Sequence, residues 1–358
     1  MTTRVTEGES EYHPEQSPQI AVIISNFRDR EHIERCLESL AATKGPPFVT
    51  VVVDCLTPDI EEIVRRHLPN GTVVHYDVDI GATAGRNAAA ALVAGRVRYI
   101  VFLDNDVTLC NGWLECLVRA AESKPQGAAF QSVALLASND AQLNSRGGRV
   151  NYLLFGWPSG LGEPHDRVET REVDFCSGCS VLVRTEAWSN AGGFDGRYFL
   201  YCDDLDLGLR LGLLGYKSYI VGDSIVIHDY EFSPSPRRMF YLQRNRWFTI
   251  LKLFPLRCML MVAPMILLTE VGLLLYSIRG GWTGAYHRAN LEVLQRFAEF
   301  RNDLRESSDP SHDDIRGLIS RLDPSFDFSE LTPSFGLRLF RSILKGYHAA
   351  FLAKEKAT

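Results

Sequence analysis

The stretch Ile20-Ala-Val-Ile-Ile24, followed by Ser25-Asn26-Phe27-Arg28, decides the fold: a continuous apolar run ends abruptly in polar residues. Such a run is typical of a strand that is buried on both faces of a sheet. The apolar positions that come next recur at the spacing of one helical face: Ile33, Cys36, Leu37 and Leu40. The segment therefore predicts a β-α unit with polar side chains at the carboxyl end of its strand.

The same alternation of strand and helix continues through residue 130. Three further apolar runs predict strands, at Val49–Val53, Val73–Tyr76 and Tyr99–Leu103. Parallel strands need crossover connections, so we expect an α/β fold with a mostly parallel central sheet flanked by helices. Ligands of such sheets bind at the carboxyl ends of the strands. The candidate residues therefore follow each strand, at 25–28, 54–59, 79–87 and 104–106.

Size and composition limit the classes of protein to consider. The chain has 358 residues, of which 46% are hydrophobic and 23% are charged. These values fit a large folded domain with an appendage and exclude a wholly disordered or collagen-like chain. A net charge of −6 argues against nucleic acid as a partner, because binding it requires basic surfaces. The oligomeric state is left open.

Asp104-Asn105-Asp106 follows the strand Tyr99–Leu103 directly, so its carboxylates are expected at the edge of the sheet. Carboxylate oxygens suit Mg²⁺ or Mn²⁺, and such an ion commonly bridges phosphate oxygens with few protein ligands. An acidic turn that caps the next helix is the simpler interpretation. The motif alone does not decide between them.

Two other segments offer polar groups to a nucleotide. Asp54 follows a strand and could bind a base or ribose, whereas Asp59 is better placed to cap the next helix. Gly81 breaks the chain before Arg86 and Asn87, which could contact the nucleotide or merely begin a helix.

Three aspartates crowd the first turn of a predicted helix, at Asp203, Asp204 and Asp206. The helix dipole accounts for one or two acids there, at about 0.3–1 kcal/mol each. Three acids within four residues repel one another and invite a functional explanation. His228 follows the apolar strand 218–227, where a lone histidine is either structural or a ligand.

Taken in order, these motifs resemble the family-2 inverting glycosyltransferases of the GT-A fold, particularly the rhamnosyltransferase-like members. The resemblance covers residues 20–255. Its motifs are Val51-Val-Val-Asp54, Asp79-Ile-Gly-Ala-Thr-Ala-Gly-Arg-Asn87, Phe102-Leu-Asp-Asn-Asp106, Phe175-Cys-Ser-Gly178, Ala191-Gly-Gly-Phe-Asp195, Tyr201-Cys-Asp-Asp-Leu-Asp206 and His228. Three positions depart from the family: Asn26-Phe27 replaces Tyr-Asn, Leu56-Thr57-Pro58 replaces Gly-Ser-Thr, and Asp203 replaces the Glu of a Glu-Asp pair.

The resemblance implies a role for each motif. It implies that Asp204 is the catalytic base, with Asp203 beside it, and that Asp106 holds a divalent metal, Mn²⁺ or Mg²⁺, with Asp104 and His228. It implies that Asp54 contacts the base of the nucleotide-sugar donor and that Asp104 lies near the ribose. The remaining positions expected to line the donor site are Ser25, Asn26, Gly81, Arg86, Asn87 and Asn105.

The expected function is inverting transfer of a sugar from a UDP-, dTDP- or GDP-sugar to a hydroxyl of a lipid-linked or polysaccharide glycan. A nucleotide-cofactor oxidoreductase is a rival, but Ser25–Arg28 lacks the glycines that a dinucleotide-binding turn requires. A non-catalytic sugar- or lipid-binding scaffold is a second rival. Retention of Asp104, Asp106 and Asp204 argues against it.

The C-terminal third predicts contact with a membrane surface. The apolar stretch 258–278 is long enough to span a bilayer, but Pro264 and Glu270 interrupt it, which favours a re-entrant or interfacial hairpin over a span or a buried core helix. We expect an enzyme that is peripheral or monotopic on the cytoplasmic face. The expected organisation is a disordered lead at 1–19, a GT-A catalytic domain at 20–236 with halves 20–130 and 131–236, a membrane-associating helical region at 237–306, and a linker with an amphipathic helix at 307–358.

Overall fold

The computed structural model describes residues 3–6, 19–230, 235–306, 312–326 and 335–353. Its strands are β1 (Thr3–Thr6), β2 (Ile20–Phe27), β3 (Phe48–Cys55), β4 (Thr72–Tyr76), β5 (Tyr99–Asp104), β6 (Val107–Leu109), β7 (Gly127–Leu136), β8 (Asn139–Ser145), β9 (Gly148–Val150), β10 (Gly156–Pro158), β11 (Arg171–Val173), β12 (Ser180–Arg184) and β13 (Lys217–His228). Its helices are α1 (Arg30–Ala41), α2 (Ile60–His67), α3 (Ala82–Val93), α4 (Trp113–Ser123), α5 (Thr185–Asn190), α6 (Asp203–Leu213), α7 (Pro236–Leu253), α8 (Leu256–Arg279), α9 (Thr283–Gln295), α10 (Phe297–Glu306), α11 (His312–Arg321) and α12 (Phe335–Tyr347).

One large sheet organises the first part of the chain. Its strands lie in the order β1-β4-β3-β2-β5-β12-β7-β13-β11, with β6 paired to β13 and β8 paired to β7. Strands β2 to β5 are mutually parallel, while β12 runs antiparallel between β5 and β7. The registers pair Ser25 with Asp104 and Asn26 with Asp54, so the carboxyl ends of β2, β3 and β5 coincide. The predicted α/β architecture with a flanked central sheet is confirmed.

The side chains of each parallel strand alternate between two buried apolar layers. In β2, Val22 and Ile24 pack on one face with residues of α1, α2 and α4. Ala21 and Ile23 pack on the other face with residues of α3, α5 and α6. Burial on both faces explains the continuous apolar run in the sequence. The two layers fix the sheet, and the polar residues that follow the strands are left at its edge.

The expectation of a disordered lead is wrong for Thr3–Thr6. This segment forms β1, which pairs antiparallel with β4 and places Val5 opposite Val74. Its β-branched residues favour an extended strand, and the outer edge of β4 offers unpaired backbone groups. The remainder of the expected lead, up to residue 18, lies outside the described residues.

The chain divides into two compact units. The first contains residues 1–148 and 158–231, and the second contains residues 149–157 and 232–358. The second unit is helical and takes in α7 to α12. It also includes residues 149–157, which the sequence analysis assigned to the catalytic domain. Within this unit Asn151 Nδ2 donates to the carbonyl oxygen of Ser325 at 3.3 Å, and Tyr152 Oη donates to that of Leu344 at 3.1 Å.

Helix α8 has the length and composition of a membrane-crossing segment. Its most apolar window has a mean hydropathy of 2.2, and 28% of that window is buried within the protein. Length and composition alone do not separate a span from a surface helix. The hairpin expected over 258–278 is wrong, because α8 continues through Pro264 and Glu270 as one helix, Leu256–Arg279.

Candidate active site

Three potential metal ligands meet at the edge of the sheet. Asp104 ends β5, Asp106 lies in the turn that follows, and His228 ends β13. Strand β6 pairs with β13 and places Val107 opposite His228, which brings the turn beside the imidazole. One potential ligand atom from each of the three side chains lies within 4.8 Å of the other two. Residues that are more than a hundred positions apart in the sequence therefore form one group.

Asn144 fixes the orientation of the His228 ring. Its Oδ1 lies 3.0 Å from His228 Nδ1, and both side chains are buried. Because an amide oxygen can only accept, Nδ1 carries a proton, and Nε2 faces Asp106 Oδ1 at 3.2 Å. Nε2 can donate to this carboxylate when the ring is protonated and can ligate a cation when the ring is neutral. Second-shell partners of this kind are usual for metal-binding histidines. Asn144 is not among the residues that the sequence motifs predict for the site.

This group of side chains fits a divalent cation. Carboxylate oxygens and a neutral imidazole suit Mn²⁺ or Mg²⁺. Asp106 Oδ1 is buried, and among the described residues it has the charge contact with His228 Nε2 but no well-aligned hydrogen bond. Burial lowers the pKa of His228, but the neighbouring Asp106 outweighs burial and raises the pKa overall. A bound cation would satisfy the carboxylate and compete with protons for the ring.

The loop before α6 presents two acids at the start of that helix. Phe199, Tyr201 and Cys202 all have left-handed backbone conformations, with φ of 67°, 66° and 62°. Non-glycine residues in this region are strained, and such strain is common at functional sites. Helix α6 then begins with Asp203 and Asp204. The strained loop sets where these two carboxylates lie.

The third acid of the cluster has a structural role. Asp206 is fully buried, accepts from Tyr198 Oη at 3.2 Å and pairs with Arg210 Nη2 at 2.7 Å. Its charge is therefore balanced by Arg210 of the same helix, and Tyr198 adds a hydrogen bond. Of the three acids, only Asp203 and Asp204 are left as candidates for chemistry.

The environment of Asp204 suits a base that works near neutral pH. Burial and repulsion from Asp203 raise the pKa of Asp204 to about 7. Burial also raises the pKa of Asp203, although Arg86 partly offsets it. A carboxylate whose pKa is near the ambient pH accepts protons more readily than an ordinary aspartate does. Perturbed carboxylates of this kind cluster at active sites.

Arg86 lies between the metal-binding group and the acid pair. Its Nη2 bonds to Asp104 Oδ1, and its Nη1 lies 3.5 Å from Asp203 Oδ2. The backbone of Gly178 adds a second connection, because its carbonyl accepts from Arg86 at 3.3 Å and its N–H donates to Asp204 Oδ2 at 3.3 Å. A Cβ on Gly178 would lie 2.6 Å from Arg86 Nη1. The two groups of acids are therefore parts of one site.

A second polar cluster lies at the ends of β2, β3 and β4. Asn26 Nδ2 donates to Asp54 Oδ1 at 2.7 Å and to Thr57 Oγ1 at 2.9 Å, while Asn105 donates to Asn26 Oδ1 at 2.8 Å. The other oxygen of Asp54 accepts from the Thr57 N–H at 3.0 Å and lies 2.9 Å from His75 Nδ1. Asp54 is completely buried by these partners. Asp54 therefore links the ends of β2, β3 and β4. Its direct contact with the nucleotide base stays a prediction.

Three other residues predicted to line the nucleotide-sugar site are Ser25, Gly81 and Asn87, and each lies in a different part of the cluster's surroundings. Ser25 lies beside Asp104 in the sheet and is half-buried. Gly81 has φ of 77° and lies against Phe199, so that a Cβ would be 2.5 Å from the Phe199 carbonyl oxygen. Asn87 donates to the carbonyl of Phe194 at 2.6 Å and accepts from its N–H at 3.0 Å. Gly81 and Asn87 therefore hold the loops around the acid pair.

Comparison with known proteins identifies the family. The model of the family described as glycosyltransferase-like family 2 matches residues 18–249. The chain belongs to this family. It is a glycosyltransferase that works with a nucleotide-sugar donor.

Two curated relatives of this glycosyltransferase are named as rhamnosyltransferases. The N-acetylglucosaminyl-diphospho-decaprenol L-rhamnosyltransferase of Mycobacterium tuberculosis is 28% identical over 233 residues, which cover 58% of this chain and 75% of the relative. Rhamnosyltransferase WbbL of Escherichia coli is 26% identical over 241 residues, covering 64% of this chain and 89% of the relative. The predicted rhamnosyltransferase-like family is confirmed.

A solved structure supports the fold. The mannosyltransferase PcManGT of Pyrobaculum calidifontis, in complex with GDP-Man and Mn²⁺, superposes with a TM-score of 0.50 at 14% identity. The match covers 84% of this chain and 88% of that one. The predicted GT-A fold is confirmed.

Proposed function

We propose that this glycosyltransferase inverts the donor's anomeric centre, with Asp204 as general base and a divalent cation held by Asp104, Asp106 and His228. The observation that carries the proposal is the position of Arg86. Its guanidinium bonds to Asp104 and pairs with Asp203, so the cation-binding group and the acid pair are separated by a single side chain. A donor diphosphate and an acceptor hydroxyl fit two neighbouring groups with these chemistries.

Asp204 would take the proton of the acceptor hydroxyl as its oxygen attacks the anomeric carbon. The bond from that carbon to the diphosphate oxygen breaks on the opposite side, and the nucleoside diphosphate leaves. One displacement inverts the configuration and requires no covalent intermediate with the enzyme. The Gly178 N–H holds one oxygen of Asp204 and the Leu205 N–H holds the other at 2.8 Å, which fixes the direction in which the base faces.

Asp104, Asp106 and His228 would hold the cation, and Asn144 would keep the imidazole nitrogen directed at it. When bound, the cation supplies Lewis-acid stabilisation of the charge on the departing diphosphate. The Mn²⁺ in the mannosyltransferase complex supports this choice of ion. Arg86 would add a positive charge on the same side.

The names of both relatives support rhamnose as the transferred sugar. The name of the Mycobacterium tuberculosis relative also supports a polyprenyl-diphosphate-linked glycan as the acceptor. A dTDP-, UDP- or GDP-linked sugar is the donor to test. Such acceptors have their lipid in a bilayer, so we place the enzyme at the cytoplasmic face of the cell membrane. A panel of nucleoside diphosphates with and without Mn²⁺, read by thermal shift, would identify the base, because only the matching one should stabilise.

The test of the base compares Asp204→Asn with Asp223→Asn, a change at an exposed aspartate of β13. The first should lower turnover by about 10²–10⁴-fold while nucleotide-dependent thermal stabilisation persists, because only proton transfer is lost. The second should leave turnover unchanged. Full activity of Asp204→Asn would remove Asp204 from the mechanism. A wild-type chain that neither transfers nor hydrolyses any nucleotide sugar with Mn²⁺ would instead favour a non-catalytic scaffold.

A further inference from the structure

Helix α8 has an exposed apolar stripe along its whole length. Six large apolar side chains on it are each between 59% and 67% exposed: Leu256, Leu260, Leu267, Val271, Leu275 and Ile278. Their spacings of four, seven, four, four and three residues place them on one face. At 1.5 Å per residue, a helix of 24 residues is about 36 Å long. Surfaces of this kind usually mark a contact with another protein or a membrane.

The opposite face of α8 is buried at Cys258, Val262, Met265 and Thr269, and Glu270, on the flank between the two faces, joins α8 to the second unit. Its carboxylate accepts from Gln243 Nε2 at 2.8 Å, Trp247 Nε1 at 3.1 Å and Tyr286 Oη at 2.7 Å. The buried Arg246 pairs with the same carboxylate. These partners belong to α7 and α9, so α8 is joined at its middle to two neighbouring helices. Removing this charge from its partners would be costly.

The charges on the exposed face are complementary to an anionic surface. Every exposed residue of α8 is apolar, glycine, proline, tyrosine or arginine. Arg257 lies at the start of the helix and Arg279 at its end, and both are exposed. Tyr276, near the second end, is 38% exposed. Tyrosine and arginine at the margins of an apolar stripe are typical of helices at a membrane interface.

We propose that α8 lies flat on an anionic phospholipid bilayer, with its apolar stripe among the acyl chains, its buried face held against the protein and Glu270 paired at the flank. A transmembrane orientation would require α8 to leave four side-chain partners of Glu270, and that carboxylate would enter the hydrocarbon unpaired. If two copies of the chain paired through their stripes, the arginines at the helix ends would lie near one another and repel. A bilayer with anionic headgroups pairs with both arginines instead. The proposal does not depend on the transfer chemistry.

Vesicle flotation of the full chain, without donor or acceptor, tests the binding. Phosphatidylcholine vesicles with phosphatidylglycerol should bind the protein more tightly than pure phosphatidylcholine. The double variant Leu260→Glu/Leu267→Glu should bind at least about tenfold more weakly, because two apolar contacts become charged. Leu214→Glu, at an apolar residue that is 52% exposed and lies outside α8, is the matched control and should bind like the wild type. Equal binding by both variants would overturn the proposal.

The contribution of the helix ends has its own variant. Arg257→Gln/Arg279→Gln should lose most of the preference for phosphatidylglycerol, by about fivefold for each charge, and keep its binding to neutral vesicles. If the wild type is a dimer in the absence of lipid and Leu260→Glu/Leu267→Glu is a monomer, the stripe serves self-association and the proposal is overturned. Sedimentation equilibrium of the wild type and that variant measures this outcome.

Tryptophans introduced singly at Leu256, Leu267 and Ile278 test the orientation. Brominated lipids that quench at shallow and deep positions report the depth of each indole after subtraction of the wild-type signal. A helix that lies flat places all three indoles at the same shallow depth. Deep quenching at position 267 with shallow quenching at 256 and 278 would mean that α8 spans the bilayer, and the proposal would fall while vesicle binding persisted.

Discussion

The polar clusters at the sheet edge differ in how completely their atoms are paired. In the closed cluster, formed by Asn26, Asp54, Thr57, His75 and Asn105, both oxygens of the buried carboxylate have protein partners. The open cluster consists of Asp104, Asp106, His228, Asp203, Asp204 and Arg86. In it, the pKa of Asp204 is raised, and the buried Asp106 Oδ1 and Asp203 Oδ2 have only charge contacts, with His228 Nε2 at 3.2 Å and Arg86 Nη1 at 3.5 Å.

The difference separates support from chemistry. A buried carboxylate that is fully hydrogen-bonded stabilises one arrangement of the strands. Buried carboxylates with few partners cost stability, and a fold keeps them where a ligand or a proton will complete them. We therefore expect substitutions in the open cluster to change binding and turnover, and substitutions in the closed cluster to change mainly stability.

The largest effect should come from Arg86, which joins the two halves of the open cluster. Arg86→Met leaves Asp104 and Asp203 without their cation and should lower the free energy of unfolding by about 3–5 kcal/mol. Urea unfolding measures this loss, and saturating Mn²⁺ should restore part of it. Arg30→Met, at a guanidinium whose side chain is 54% exposed, is the control and should change little. A loss for Arg86→Met that matches the control would mean that the two halves are independent.

Asn144→Leu tests whether the hydrogen bond from His228 to Asn144 contributes to metal binding by the open cluster. Without the Asn144 oxygen the imidazole of His228 can rotate and change tautomer, so affinity for Mn²⁺ should fall by about 10–100-fold. Titration calorimetry measures the affinity directly. Asn139→Leu, on an exposed residue of the same strand, should leave it unchanged. An unaltered affinity in Asn144→Leu would exclude His228 as a positioned ligand.

Asp54→Asn tests the closed cluster. It replaces one accepting oxygen with a donor beside Thr57 and His75, so it should lower the free energy of unfolding by about 1–3 kcal/mol. Asp204→Asn should do the reverse above neutral pH. The folded pKa of Asp204 lies at about 7, above its unfolded value, so its ionisation at pH 8 destabilises the native state. Melting temperatures at pH 8 should therefore rise for Asp204→Asn and fall for Asp54→Asn; a rise for both would remove the distinction.

The smallest effect concerns pH. If Asp204 is the base, log kcat/KM should rise with slope one up to about pH 7 and then level off, a tenfold change per pH unit. A profile measured at saturating Mn²⁺ checks this, and Asp223→Asn should reproduce it. A flat profile between pH 5.5 and 8 would assign proton removal to another group.

Much of the fold follows from local pattern. The apolar runs of β2 to β5 and the helical spacings between them predict the parallel half of the sheet, because strands buried on both faces must be continuously apolar. Strand β1 could not be predicted from the sequence, since Thr3–Thr6 is short and its partner β4 is distant in the chain. Residues 149–157 belong to the second unit, although the residues on either side of them belong to the first. No local sequence pattern indicates this.

The site was predictable where residues follow strands. Asp104 and Asp106 were expected at the sheet edge because they follow a strand, and only the family resemblance added His228; the three lie together. Asn144 was missed because its role depends on a distant histidine and its strand begins with exposed residues. His75 had a usable signal, since it is a polar residue inside the apolar strand β4.

Gly178 gives the open cluster little mutational tolerance. Its carbonyl accepts from Arg86 and its N–H donates to Asp204, and a Cβ there would lie 2.6 Å from a guanidinium that two carboxylates already hold. In a saturation library scored for activity, we expect glycine alone to survive at this position, while a library scored for expression should accept alanine as well. Gly212, in α6 with open space around it, should accept small residues under both selections.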